Sequence, residues 1–533
     1  MKKSKRMVSA LLALLMLLML PAGCGKEEND FLQLRIATAD TPQILDPAMV
    51  NTDVEKTLVV HLFENLMKLT KNGVVCGQAK GYTCTDNLDG TETYRFTLRS
   101  DIKWSDGKAV TAQDFVYAWQ RLVAPEINSP NRELLNMVAG YEEAASGNLD
   151  ALQVWADDTL TLVVVLNCHC PYFLSSICTA AATMPVRADV VDKDDWSVDR
   201  AALVTNGAYQ VQTWSNDKMS MSMVPNYYDA KRICTQKLEF HFGMARDVAM
   251  AAYENGEMDV VMESSRTETS LLSYRPAVSV LLINQMASTL KKEELRQAMS
   301  LVLDRNAICT GLGGTFIPAD GLIPYGTAST EGGDFRTVSG VVIDNDPENY
   351  EARCASAKEK LESIGYYANA VMENLGTITL LYANIPQQII VAESLQKMWQ
   401  EKLGLNVTLS PVSTEDMRNA LETGEFTMAL TRIESDRNDA SAYLKCFCSN
   451  SEENYGMYYS NAYDMLMRVI ESANNVTARD AYMEDAEKLL LESSYVIPLF
   501  NDTHNWLVRD GLTDAFDNGQ DAHYFAYVRR DTE

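Results

Sequence analysis

Reactive side chains in this chain are its eleven cysteines and five histidines. Cys168-His169-Cys170, followed by Cys178, gathers thiols and an imidazole, the donors a zinc ion takes. The spacing is none of the paired C-x-x-C frameworks, and a strand-like run over 160–166 leads straight into it. The expectation is therefore buried thiols or a disulfide, and no metal is assigned. His61, His241, His504 and His523 lie far apart in sequence and are expected to be packed or surface residues. Beyond Cys24, the other cysteines allow up to about five disulfides, whose connectivity a sequence does not give. Cys76 and Cys84, flanking a turn-rich stretch, are the best local pair.

No H-E-x-x-H, G-x-S-x-G or Walker A pattern occurs, so the zinc-protease, serine-hydrolase and nucleotide signatures are missing. Paired carboxylates such as Asp157-Asp158 would suit glycoside hydrolysis, but among 73 acidic residues such pairs arise by chance. No catalytic constellation emerges, so no enzyme and no cofactor is expected. The 533 residues are 47% hydrophobic and 22% charged, which is globular composition with length for several domain-sized units. A net charge of −27 with mostly isolated cations argues against nucleic acid, whose phosphates need clustered ones.

The amino end reads as an address. Basic residues 1–6 precede an apolar run over 7–20, then Pro21-Ala22-Gly23-Cys24. Such a run rises only about 21 Å as a helix, short of the ~30 Å bilayer core, so it reads as a secretory signal over 1–23 and not as an anchor. The segment resembles the bacterial lipoprotein box, which implies acylation of Cys24 and a polar tether over 24–31. Pro21 departs from that box, which usually has Leu there.

Beyond the tether, short β-branched runs alternate with amphipathic helices. Strands are expected over 34–38, 94–98, 159–166, 260–262, 377–382 and 405–411, and a hairpin over 209–214 and 219–225. Helices are expected over 55–67, 111–122, 172–181, 248–256, 293–303, 350–364, 386–403 and 477–491. Thr111 and Asp114 have the spacing of a helix cap, and Gly365 and Gly404 sit where helices stop. The β-α-β order implies a partly parallel sheet with helices on its faces.

Several motifs then carry a family resemblance. They are Leu45-Asp46-Pro47, Leu62-Phe63-Glu64-Asn65-Leu66, the stretch over 94–122 with Trp104-Ser105-Asp106-Gly107, Thr205-Asn206-Gly207-Ala208-Tyr209, Pro225-Asn226-Tyr227-Tyr228-Asp229-Ala230, and residues 301–306. In order and spacing they resemble the solute-binding proteins of peptide-type ABC importers (extracellular solute-binding protein family 5), the oligopeptide-binding proteins in particular. The resemblance implies an α/β, two-lobed periplasmic-binding-protein-like fold of class II, cluster C type, with an extra N-terminal subdomain. It implies lobe I from 32–56, 197–276 and 496–533, the extra subdomain over 57–196 packed on it, and lobe II over 277–495.

The implied function is capture of a peptide between closing lobes and delivery to ABC transporter permease subunits. The protein would be a monomer, lipid-anchored on the extracytoplasmic face of the bacterial cell membrane. Receptors for dipeptides, nickel chelates, haem or sugars share this fold, and a peptide-sensing lipoprotein without transport is the other alternative. Carried over residue by residue, Asp436 takes the position that pairs with the peptide's α-ammonium. Asn51, Thr52 and Asp53 align with the segment that meets the ligand as an added strand, and Arg432, Ile433 and Glu434 would supply the facing backbone groups. Departures also stand out. Arg432 and Ile433 replace a Gly and a Trp, while Leu421, Gln388 and Leu430 replace basic partners of the peptide carboxylate. Thr414 stands where relatives have an aromatic wall. This pattern suits a ligand whose far end is capped or held only by water.

Overall fold

Two strands of equal length, Leu271–Ile283 and Val496–Val508, run antiparallel through the middle of the molecule and join its halves. The computed structural model describes residues 31–71, 73–193, 195–264, 269–313, 316–330, 333–366, 377–435, 437–473, 475–517 and 522–531. Cys24 and Asp436 lie outside the described residues, as does the whole signal segment. No helix among the described residues is long and apolar enough to cross a membrane.

Both crossing strands belong to one eleven-stranded mixed sheet. On one side of them lie Val260–Ser264, Gln33–Ala37, Lys237–His241, Lys218–Met223 and Tyr209–Trp214, in that order; on the other lie Met428–Glu434, Ile378–Ala383 and Val407–Val412. Gln33–Ala37 pairs in parallel with both neighbours, and Ile378–Ala383 does the same in the second lobe. The expected partly parallel sheet is therefore present in each half. A separate four-stranded antiparallel sheet, ordered Ala79–Asp86, Glu92–Leu98, Thr161–Leu166, Val154–Asp158, shares one apolar core with the first-lobe strands through Phe96, Trp119, Phe173, Phe240 and Phe525. In the second lobe the pleat sorts side chains by parity. Leu281 and Ile283 enter one core, while Val278, Val280 and Leu282 enter another on the opposite face.

Local signals explain most helix ends. Pro386 opens Pro386–Leu403 and Gly404, at φ +69°, closes it. Asp114 accepts the Thr111 N–H at 2.8 Å to start Ala112–Val123, whose Phe115, Trp119 and Leu122 are fully buried.

The helix expected over 55–67 instead ends at Leu62. Tertiary contacts override its apolar period: the Asn206 side chain accepts the Glu64 N–H at 3.0 Å and donates to the Glu64 carbonyl at 2.9 Å. Gly207 lies so close that an added Cβ would fall 2.6 Å from the Leu62 carbonyl carbon. Tyr228 donates to the Glu64 carboxylate at 3.1 Å, as does Tyr227, and Lys68 reaches Asp229 at 2.8 Å. Three motifs that are distant in sequence thus form one buried polar node. Residues 172–181 make one wide turn over Phe173–Ile177 and a short turn over Ala181–Thr183 instead of a continuous helix. Cys76 and Cys84 are free thiols. The stretch leading to Cys84 is not a loop: Ala79–Asp86 is an extended strand.

Candidate interlobe binding site

Where the lobes face each other, a cavity of about 390 Å³ is lined by Asn51, Lys56, Asn131 and Ser176 from the first and by Glu434, Arg437 and Asn438 from the second. The first wall is rigid for reasons that can be followed residue by residue. Asp46 takes a bidentate ion pair from Arg121 at 2.9 and 2.6 Å and caps the short turn Pro47–Met49. Asn131 donates to the Val50 carbonyl at 2.8 Å. The buried Glu55 carboxylate accepts the N–H groups of Gln43, Asn51 and Thr52, while the Thr52 hydroxyl caps the helix Asp53–Leu62. Asn51 therefore lines the cavity with its N–H already spent, and Thr52 serves chiefly as a cap. Asp53 accepts from Arg275 of the first crossing strand at 2.9 Å.

The second wall is a sheet edge. Ser435 donates its N–H to the Pro276 carbonyl at 2.9 Å, which fixes the alternation of the antiparallel ladder. Residues 429, 431, 433 and 435 turn their backbone groups toward Leu271–Ile283, and 430, 432 and 434 turn theirs the other way. On that other side the neighbouring strand pairs only with Met428 and Ala429. Past that point Arg432 and Glu434 present backbone N–H and C=O groups to no strand among the described residues. Ile433 departs from the expectation: it pairs with Val278 and buries its side chain in the second-lobe core, so neither its backbone nor its side chain faces the cavity.

Charges cluster beside this edge. Arg432 contacts Glu434 at 3.0 Å and Asp502 of the second crossing strand at 3.2 Å. Burial pushes the Asp502 carboxyl up; Arg432 and Arg275 pull against that shift and Glu434 adds to it. Leu421 and Leu430 are buried in the second-lobe cores, and Gln388 accepts the Ala383 N–H at 2.7 Å. Thr414 opens the helix Thr414–Thr423. None of Leu421, Gln388 and Leu430 offers a cation.

A second band of contacts crosses the cavity mouth. Ser176 donates to the Asn438 carbonyl at 3.2 Å and the Arg437 guanidinium lies 4.8 Å from the Tyr172 ring centre. His169 sits between Glu92, 2.5 Å from Nδ1, and the Ala473 carbonyl, 3.0 Å from Nε2. The Cys168-His169-Cys170 motif is thus an interlobe contact and not a ligand set. Cys84, Asp86 and Glu92 do bring donor atoms within 4.8 Å of one another, but both Glu92 oxygens are taken, by His169 and by the Cys170 N–H. Far apart in sequence, His504 and His523 have ring centres 5.6 Å apart. His61 accepts the Phe525 N–H at Nε2 and meets the Thr57 carbonyl at Nδ1, and burial lowers it to about 4: it is a neutral packed histidine.

Residues 79–455 match the bacterial extracellular solute-binding proteins, family 5 Middle, well over half of the chain. The chain belongs to that family. As a family 5 solute-binding protein it is a binding protein and not an enzyme. It is 28% identical over 506 residues to the periplasmic murein peptide-binding protein MppA of Escherichia coli (strain K12), covering 91% of this chain and 90% of MppA. It is 29% identical to the periplasmic oligopeptide-binding protein OppA of the same organism, over 86% of this chain and 85% of OppA. To the probable deoxycholate-binding periplasmic protein YgiS, also from that strain, it is 28% identical over 86% of each.

The unliganded open form of MppA superposes with a TM-score of 0.83 at 26% identity, over 94% of this chain and 98% of that one. A second structure of Escherichia coli MppA reaches only 0.64, at 25% identity, over 95% and 99%. This chain therefore superposes better on that open form than on the second structure. Sequence reasoning missed Asn131 and Ser176 at the cavity and, beside its sheet edge, Arg275 and Asp502. Arg275 and the polar run Asn501-Asp502-Thr503-His504-Asn505 of the crossing strands, like Asn131 and Ser176, fall outside every stretch that bears the resemblance.

Proposed function

We propose that this protein captures oligopeptides between its lobes, as the receptor of an ABC importer, and is held to the extracytoplasmic membrane face through an acylated Cys24. The lobe and subdomain limits at 56, 196, 276 and 495 are part of this reading. The observation that carries it is the open backbone edge at Arg432 and Glu434 beside an interlobe cavity. Such an edge pairs with any extended main chain and leaves the side chains free, which is the chemistry of broad peptide capture. In this reading Asp436 receives the α-ammonium, and Asn51 and Asp53 border the other side of the bound chain. The relation to MppA and OppA supports a peptide ligand; the relation to YgiS makes deoxycholate the competing one.

Calorimetry on the full chain tests the reading, with a tripeptide, its N-acetylated form and deoxycholate titrated separately. The free tripeptide should give saturable heat, and Asp436→Ala should weaken it by about 2–5 kcal/mol while changing the acetylated form far less. Equal losses for both peptides would remove Asp436 from the role. Heat with deoxycholate and none with either peptide would overturn the peptide reading.

A further inference from the structure

A further cavity, away from the interlobe cleft, lies among helices of the second lobe and the start of the second crossing strand. It measures about 470 Å³, within the range of small-ligand sites. Its walls come from the helices Glu293–Leu301, Tyr350–Ser363 and Val476–Ser493 and from the start of the second crossing strand. Its charged lining is Arg305, Arg353, Lys360 and Lys488 against Asp344 and Glu492. In a chain with 73 acids and 46 cations, this lining of four cations to two acids is locally cationic.

Arg305 is the decisive side chain. It is 2% exposed, and no carboxylate lies within ion-pair distance of it among the described residues. Its Nε donates to the Pro498 carbonyl at 2.7 Å and Nη2 lies 3.4 Å from the Ser300 hydroxyl, so neutral acceptors orient the fork without neutralising it. Burial lowers this guanidinium to about 10, which leaves it charged at neutral pH. Arg353 stands on the same cavity, with Nη1 held by Asp344 and its buried Nε without a hydrogen-bond partner. Lys360 donates to Gln297 at 2.7 Å, and Lys488 pairs with Glu484 at the rim. A buried guanidinium with no carboxylate in contact is costly, Asp320 acting on it only from beyond ion-pair distance, and an anion seated beside Arg305 and Arg353 would lower that cost.

We infer that this second-lobe cavity is a binding site for a small anion bearing carboxylate or phosphate groups, separate from the interlobe cleft. Its position leaves the cleft residues untouched, so the site stands or falls independently of the peptide reading.

Calorimetry on the full chain at low ionic strength, with citrate and inorganic phosphate as separate probes, tests it. Saturable binding of either supports the site: citrate alone marks a carboxylate ligand, phosphate alone a phosphorylated one, and both a site that reads charge only. Arg353→Gln should weaken the binding about tenfold. Should that variant fail to fold, Lys488→Gln, on a side chain 47% exposed, should still weaken it measurably. A saturating tripeptide should leave the anion isotherm unchanged. No saturable heat with either probe, unchanged affinity in folded variants, or displacement by the peptide would each overturn the inference.

Discussion

The ion pair between Asp439 and Arg479 sets the loop that leads out of the cleft, and removing its carboxylate charge gives a sharp prediction. Arg479 meets Asp439 through two hydrogen bonds of 2.8 and 2.9 Å, with the side chains 2% and 5% exposed. The same carboxylate caps the helix Ala440–Lys445 by accepting the Ser441 N–H at 2.9 Å. Burial alone would raise the Asp439 carboxyl; the charge of Arg479 and its hydrogen bonds overcome this and hold it below the ordinary value. Asp439→Asn keeps the shape and strands a buried guanidinium, at a cost of about 3–5 kcal/mol. For a lobe of this size that is a fall of roughly 10 °C in the melting midpoint. The double variant Asp439→Asn/Arg479→Met should recover most of the loss, because it removes the stranded charge. A lowered carboxyl stabilises above its unfolded value near 3.9, and this contribution disappears as pH falls through the folded value. The wild-type and Asp439→Asn curves should therefore converge in strong acid. Scanning calorimetry from pH 2 to pH 8 reads all of this. A single variant within about 1 kcal/mol of wild type at pH 7 would refute the reasoning, since it would mean that solvent already reaches the pair.

Two further expectations concern the frame. Only imidazolium offers N–H groups at both ring nitrogens, and the hydrogen bond it donates to Glu92 is the largest influence raising His169, with burial opposing it. The His169 bridge to Ala473 should thus be strongest in acid and lost as pH rises through the raised folded value; melting profiles from pH 5 to 9 should show this loss in wild type and not in His169→Gln, and parallel profiles would sink the idea. Gly207→Ala should cost about 2–3 kcal/mol in a urea titration, because the new Cβ meets the Leu62 and Phe63 backbone, which has no room to yield. A neutral result there would mean that the helix end at Leu62 is softer than its contacts imply.

Much of the architecture was legible because local rules and global fold agree. Pro386 and Gly404 bracket a helix rich in Gln, Glu, Lys and Leu, and the hairpin Tyr209–Trp214 with Lys218–Met223 follows its alternation. The helix running past Leu62 was misread because the side chain that stops it, Asn206, is more than a hundred residues away. The crossing strands escaped for a related reason. Their apolar residues serve cores on both faces, so they show no clean alternation, and only pairing across the chain defines them. At the cleft, Asn51 and Glu434 could be placed by resemblance. The orientation of Ile433 depends on ladder parity, which a single bond from Ser435 to Pro276 decides. Asp502 and Arg275 meet their partners only once both lobes have formed.

The second crossing strand also bears on how the polypeptide is made. Val496–Val508 lies between Val260–Ser264 and Leu271–Ile283, and Phe525 and Val528 complete the core that contains Leu34 and Phe240. A nascent chain that has emerged only as far as residue 495 therefore carries an amino-terminal half with an unpaired sheet edge and an unfilled interior. Its stability arrives with the final segment of synthesis, so truncation late in the gene should be as damaging as truncation early. Any factor that shields that exposed edge during synthesis would act on the amino-terminal half until translation has finished.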